Sequence, residues 1–161
     1  MDFNTLLTGL GAALKIDALD FDSHGICKLI FDDCYTVYLE PGRDESTLHL
    51  YSIIGELPQN GQALFFESLS SRNLFGASTG LWNLACDIER QELLLNGRFR
   101  RDHLNVNSLI DLVHDFVDQT ETQIKWLLSF THGDTSKNTN NNQNTSFNNN
   151  TGINNNTLIR V

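Results

Sequence analysis

Apolar side chains at Phe3, Leu6, Leu7, Leu10 and Leu14 recur at helical spacing, with Asp2 placed as an N-cap and Lys15 at the end where the dipole favours a cation. The spacing predicts an amphipathic first helix. After Gly25 come two β-prone runs, 26–31 and 34–39, separated by Asp32-Asp33, which reads as a hairpin with Phe31 facing Cys34 and Cys27 facing Tyr38. Pro41-Gly42-Arg43-Asp44 marks the next turn, and alternation over 47–54 (TLHLYSII) predicts a third strand that ends at 57–61 (LPQNG). A second helix follows with Leu64, Phe65, Leu69 and Leu74 on its buried side, stopping near Gly76. Two more strands, 81–86 and 91–99, flank a turn at 87–90. Asn105 or Asn107 then caps the longest helix, whose apolar positions run from Leu109 to Phe130.

The order α-β-β-β-α-β-β-α, with hairpin-connected strands interrupted by helices, predicts an α+β fold: an antiparallel sheet packed with helices. A sheet covered on one side should be polar on the other. CKLIF, TVYL and TLHLYSII instead carry apolar residues on both faces of the pleat, so something must cover the second face: a partner subunit, a third layer or a segment of another protein. Trp82, Leu84 and Cys86 give one strand a strongly apolar side that suits core first and dimer contact second.

A length of 161 residues with 40% hydrophobic content suits one domain with a real core. Composition breaks after Phe130, and from 138 to 156 eleven of nineteen residues are Asn. The expected organisation is a folded domain over 1–130 and an Asn-rich disordered tail over 131–161, because such a stretch cannot bury enough surface to offset its ordering entropy. The tail holds three Asn-x-Ser/Thr triplets that Asn/Thr-rich sequence generates freely, and Thr157 to Val161 (TLIRV) has the composition of a short docking strand.

The folded part carries nine basic against nineteen acidic residues, which repels a phosphate backbone and excludes nucleic acid as the expected partner. Arg98, Arg100 and Arg101 read as a solvated rim. No apolar run approaches the ~18 residues of a membrane span. Asp2 stands where a signal peptide has a cation, so no export signal is expected. Cys27, Cys34 and Cys86 are odd in number without a CxxC pair, which suits a reducing cytoplasm rather than a disulfide framework or a zinc site.

Candidate chemistry is sparse. Gly76-Ala77-Ser78-Thr79-Gly80 matches G-x-S-x-G, but a nucleophile elbow needs a strand entering and a helix leaving, and here the order is reversed. His24, His49, His103, His114 and His132 are scattered singly, the acidic turns lack calcium-loop order, and no phosphate-cradling loop exists. No catalytic residue, metal site or cofactor is expected.

The order of elements, the small acidic body and residues 6–21 (LLTGLGAALKIDALDF), 26–39, 48–57, 64–75 (LFFESLSSRNLF) and 93–99 (LLLNGRF) together resemble the class I chaperones of bacterial type III secretion, in particular the Tir chaperone family. Asn73-Leu74-Phe75 and the strand at 95–99 carry the most specific part of the likeness, which spans 2–130 and leaves out the tail. The resemblance implies a cytoplasmic bacterial homodimer without enzymatic activity that holds the N-terminal region of one or more effectors extended and soluble and delivers it for secretion. It also adds the secretion ATPase to the expected partners. Strand addition and pocket filling supply the affinity. By the same resemblance Leu6, Leu10, Phe21, Ile26, Leu29, Val37 and Leu50 are the effector-binding residues, and Phe75, Leu81, Trp82 and Leu84 the dimer contacts. The competing readings are a hydrolase using Ser78, and a regulatory or scaffold protein of the same fold that binds a regulator in place of an effector.

Overall fold

The computed structural model describes residues 2–16 and 18–133. The first helix, α1 (Phe3–Leu14), begins where Asp2 Oδ1 accepts the Thr5 N–H at 2.7 Å and ends at Lys15, whose φ of 59° turns the chain out of the helix. Phe3, Leu6, Leu7 and Leu10 face inward. Gly9 lets α1 lie close to the start of the last helix, since a Cβ there would meet the Val106 side chain.

Strands β1 (Cys27–Phe31) and β2 (Tyr35–Pro41) form the expected hairpin, but one residue out of the expected register: Phe31 pairs with Tyr35 and Cys27 with Leu39. The loop is Asp32-Asp33-Cys34, with both aspartates at positive φ (51° and 56°) and the Cys34 N–H donating to the Phe31 carbonyl at 3.1 Å. Opposed residues share a face, and the observed pairing sets Leu29 against Val37, both buried. The expected register sets Leu29 against Thr36 and Val37 against Lys28, and so mixes core with solvent positions.

Strand β3 (Thr47–Glu56) follows, then α2 (Gln62–Asn73), β4 (Asn83–Asp87), β5 (Glu92–Arg100) and α3 (Val106–Gly133). All pairings are antiparallel, in the spatial order β1-β2-β3-β5-β4. The element order is the expected one. The fourth strand starts later than expected because the Trp82 N–H still closes a turn onto the Thr79 carbonyl at 3.1 Å. Asn105 is the cap of α3: its Oδ1 accepts the Ser108 N–H at 3.0 Å while the Ser108 hydroxyl accepts the Asn105 N–H at 2.9 Å. That helix runs past the expected end at 130, to Gly133.

One face of the sheet supplies the core. Cys27, Leu29, Val37, Leu39, Leu48, Leu50, Leu84, Leu93 and Leu95 are buried there against α1 and α3, which contributes Leu109, Val113, Phe116 and Leu127. The second helix departs from expectation. Only Phe65 is fully buried, stacked on Trp126 at 5.8 Å, and Leu69 is half-buried one turn on. Leu64 and Leu74 are 65% and 59% exposed, because α2 touches the body along a single narrow stripe. The tail from residue 134, with its expected disorder, its Asn-x-Ser/Thr triplets and the Thr157 to Val161 strand, lies outside the described residues.

Candidate functional site

Two surfaces stand out. The first is the connection from α2 to β4. Asn73, the last residue of α2, turns its amide onto β4: its Oδ1 accepts the Leu84 N–H and its Nδ2 donates to the Leu84 carbonyl, both at 2.9 Å. Two further bonds fix the loop beyond it. The Ser78 N–H donates to the Arg72 carbonyl at 3.2 Å, and Nε2 of the fully buried Gln123 donates to the Ser78 carbonyl at 2.7 Å. Gln123 Oε1 in turn accepts from Arg72 Nε at 3.0 Å, and the Arg72 guanidinium lies 4.5 Å over the Trp126 ring.

On this tethered loop Phe75 is 99% exposed and sits at φ 52°, ψ 26°. That left-handed conformation is costly for a bulky side chain and persists only where the surroundings impose it. Leu74 and Leu81 are exposed beside it in sequence, and Leu64 and Phe66 lie exposed on α2. The G-x-S-x-G stretch is part of this loop, entered from a helix and left toward a strand as its order in the sequence implies, and the Ser78 backbone is what ties it to α3.

The second surface is the face of the sheet that none of the described helices covers. Its outward residues alternate with the buried ones: Ile30 on β1, Tyr38 on β2, His49, Tyr51 and Ile53 on β3, Leu94, Asn96 and Arg98 on β5, Asn83 and Ala85 on β4. Ile30 and Ile53 are 58% and 43% exposed. Tyr38 and Tyr51 oppose each other in the ladder and stack at 5.0 Å. Burial pushes the Tyr51 hydroxyl up to about 12, and the Glu40 carboxylate adds to the effect. A shallow trough of about 500 Å³ opens over β5, lined among others by Tyr51, Ala85, Ile88, Leu94 and Asn96.

The seven residues expected to meet an effector divide sharply. Leu6, Leu10, Leu29, Val37 and Leu50 lie in the core and present no surface in this chain; Phe21 and Ile26 are half-buried. Of the four expected dimer contacts, Phe75 and Leu81 are exposed, at 99% and 70%. Trp82 and Leu84 are buried. Trp82 packs on Gly97, where a Cβ would strike its ring, meets Phe116 edge-on at 4.5 Å and donates Nε1–H to Asp115 Oδ2 at 2.6 Å.

The outward sheet residues were not among those singled out from the sequence. The signal was present, since these strands are apolar on both faces, but the more hydrophobic set of alternate positions was assigned to binding, and that set is the one the helices bury.

Among the described residues, the large shifts in titration come from burial or from an ion pair. Burial, with Asp20 and Asp22 nearby, pushes the Cys27 thiol up to about 11. A paired hydrogen bond from Arg100 holds Asp102 down at about 2. No cluster of three or more His, Cys, Asp or Glu residues that could hold a metal ion occurs among the described residues, and none of their helices is long and apolar enough to cross a membrane.

The sequence profile of the Tir chaperone protein (CesT) family matches residues 5–123. No curated protein matches the chain in sequence. Solved structures share its fold. The HopA1–SchA chaperone–effector complex aligns with a TM-score of 0.65 at 20% identity, over 76% of this chain and 93% of the other. The Yersinia pestis type III secretion chaperone SycH, in complex with a stable fragment of YscM2, aligns at 0.59 and 20% identity over 74% and 98%. YbjN, a putative transcription regulator from E. coli, aligns at 0.58 and 14% identity over 79% and 90%.

Proposed function

The chain belongs to the Tir chaperone protein (CesT) family, and from that premise we propose that it acts as a cytoplasmic type III secretion chaperone: a homodimer without enzymatic activity that keeps the N-terminal region of one or more effectors extended and soluble until export. The observation that carries this reading is the uncovered face of the sheet. A monomer of this size does not ordinarily leave stacked tyrosines, two isoleucines and a trough floored by leucine in water unless something docks there.

The two surfaces divide the work. The tethered loop with Phe75 and Leu81, flanked by Leu64 and Phe66 of α2, meets the second copy, which returns the same contacts by symmetry. Trp82 and Leu84 support that loop from the core. The client lies on the outward sheet face and reaches the half-buried Phe21 and Ile26. That structures sharing the fold are chaperones in complex with an effector or with a fragment of YscM2 supports a bound protein client.

The test is capture of the tagged full chain from its native bacterium under conditions that preserve weak complexes, followed by identification of the bound protein and a search for it in the culture medium. A captured protein that is also secreted, bound through a protease-sensitive N-terminal segment, is the expected result. A captured protein that stays inside the cell and controls transcription overturns the effector reading in favour of the regulatory one. Hydrolysis of a generic ester that disappears in Ser78→Ala overturns both.

A further inference from the structure

The outward face of β5 is graded in charge along its length. From its first residue to its last, the outward side chains are Glu92, Leu94, Asn96, Arg98 and Arg100, while Leu93, Leu95 and Gly97 between them are buried. The neighbouring strands repeat the order. Glu92 pairs with Glu56 on β3 and Asp87 on β4, Leu94 with Ile53 and Ala85, Asn96 with Tyr51 and Asn83, and Arg98 with His49. One end of the face gathers three carboxylates with Arg90 beside Asp87, the middle over β3 and β5 is apolar and then aromatic, with Lys28 at its β1 margin, and the far end carries Arg98 and Arg100.

The acids that accompany the cationic end are Glu40 in the His49 row, Asp102 paired with Arg100, Asp44, whose carboxyl is held low by Ser46 with a lesser contribution from Arg98, and Asp111 and Asp115 of α3, which line a groove with both arginines. Arg98 has none of these as a hydrogen-bonded partner and faces solvent. From Glu92 to Arg100 the strand covers about 27 Å at the usual rise. That is roughly three Debye lengths at physiological salt, so the two ends act as separate poles.

We infer that this gradient selects the chemistry and direction of the client segment: an extended stretch of about nine residues with Lys or Arg at one end, apolar side chains in its middle over the Leu94 trough, and Asp or Glu at the other end against Arg98. The inference rests on the chaperone reading and adds to it the character of the sequence bound. Charge complementarity sets orientation and partner choice, and the apolar middle supplies contact area.

Three blocked, fluorescein-labelled peptides test it on the full chain by anisotropy: KRSLTVSDE, KRSLTVSKR and DESLTVSDE. The wild-type chain should bind the first roughly five- to tenfold more tightly than either of the others at about 0.15 M salt, where a screening length of about 8 Å keeps the two poles separate. Near 1 M salt, where the Debye length falls to about 3 Å, the preference should collapse. Arg98→Glu, at an exposed position outside the core, should transfer the preference to KRSLTVSKR. Equal affinities for the three peptides, no binding of any of them, or an Arg98→Glu chain with the wild-type order each overturns the inference. The chaperone reading fails on a different result, the absence of a co-purifying client, whatever the peptides do.

Discussion

Replacing Phe75 by glycine separates what the loop costs the monomer from what it contributes to a pair. A residue with a Cβ loses roughly 1–2 kcal/mol in the left-handed region, a loss glycine does not incur, while the greater freedom of an unfolded glycine takes back about 0.5–1 kcal/mol. The ring is 99% exposed, so no core contact is lost with it. Phe75→Gly should therefore leave the monomer unchanged or up to about 1.5 kcal/mol more stable, a rise of a few degrees in Tm. In the dimer the sign reverses. Burying a phenylalanine contributes about 1.5–3 kcal/mol, and two-fold symmetry counts it twice, so the variant should raise the dimer Kd by at least about a hundredfold. Sedimentation equilibrium reads the second effect, and urea unfolding at a concentration where the variant is monomeric reads the first. A dimer Kd within threefold of wild type would refute the assignment of Phe75 to the interface. A loss of more than 1 kcal/mol in the monomer would refute the strain argument.

Three further outcomes are expected. Leu10→Asp buries a carboxylate in a fully enclosed position on α1 and should unfold the chain, seen as loss of the cooperative urea transition; a folded variant with weakened client capture would instead return Leu10 to the binding surface. Asn73→Ala removes both bonds to Leu84 and should cost about 1–3 kcal/mol by the same assay, with the loss absent if water replaces the amide on β4. Stability should also fall on the alkaline side. The Cys27 thiol is raised from 9.0 to about 11 and the Tyr51 hydroxyl from 10.0 to about 12, so between those values the unfolded chain holds fewer protons and each contribution, complete below the unfolded value, is lost as pH rises through the folded one. Cys27→Ala should flatten the part of the curve between pH 9 and 11, and an unchanged slope there would contradict the burial of the thiol.

Much of the fold was legible because several local signals agree. Asp2, the leucine spacing and Lys15 bracket α1 as found, and Asn105 with Ser108 marks the start of α3. The hairpin register was not legible from turn residues, since Asp32-Asp33 suits a two-residue loop as well as a three-residue one. The choice was made by Leu29 and Val37 needing the same side of the sheet. Which face of the sheet is free was not legible for a related reason. Alternation in TLHLYSII defines two sets of positions without stating which the helices cover, and the greasier set, Leu48, Leu50 and Ile54, is the one they take. Phe75 was named from the likeness of its Asn-Leu-Phe context, whereas its exposure and backbone angle depend on Gln123, 48 residues further along the chain in sequence, which no local pattern exposes.

The clasp of Asn73 on Leu84 gives the sheet unequal flanks. On that side a side-chain amide already occupies the outward peptide groups of Leu84, in the middle of the short β4, which an incoming ribbon would seek, while β1 at the opposite margin has a single neighbour. Endless polymerisation through strand pairing requires two receptive margins. A molecule with one such margin takes up a single further strand there, so pairing of margins alone cannot run on into a fibre.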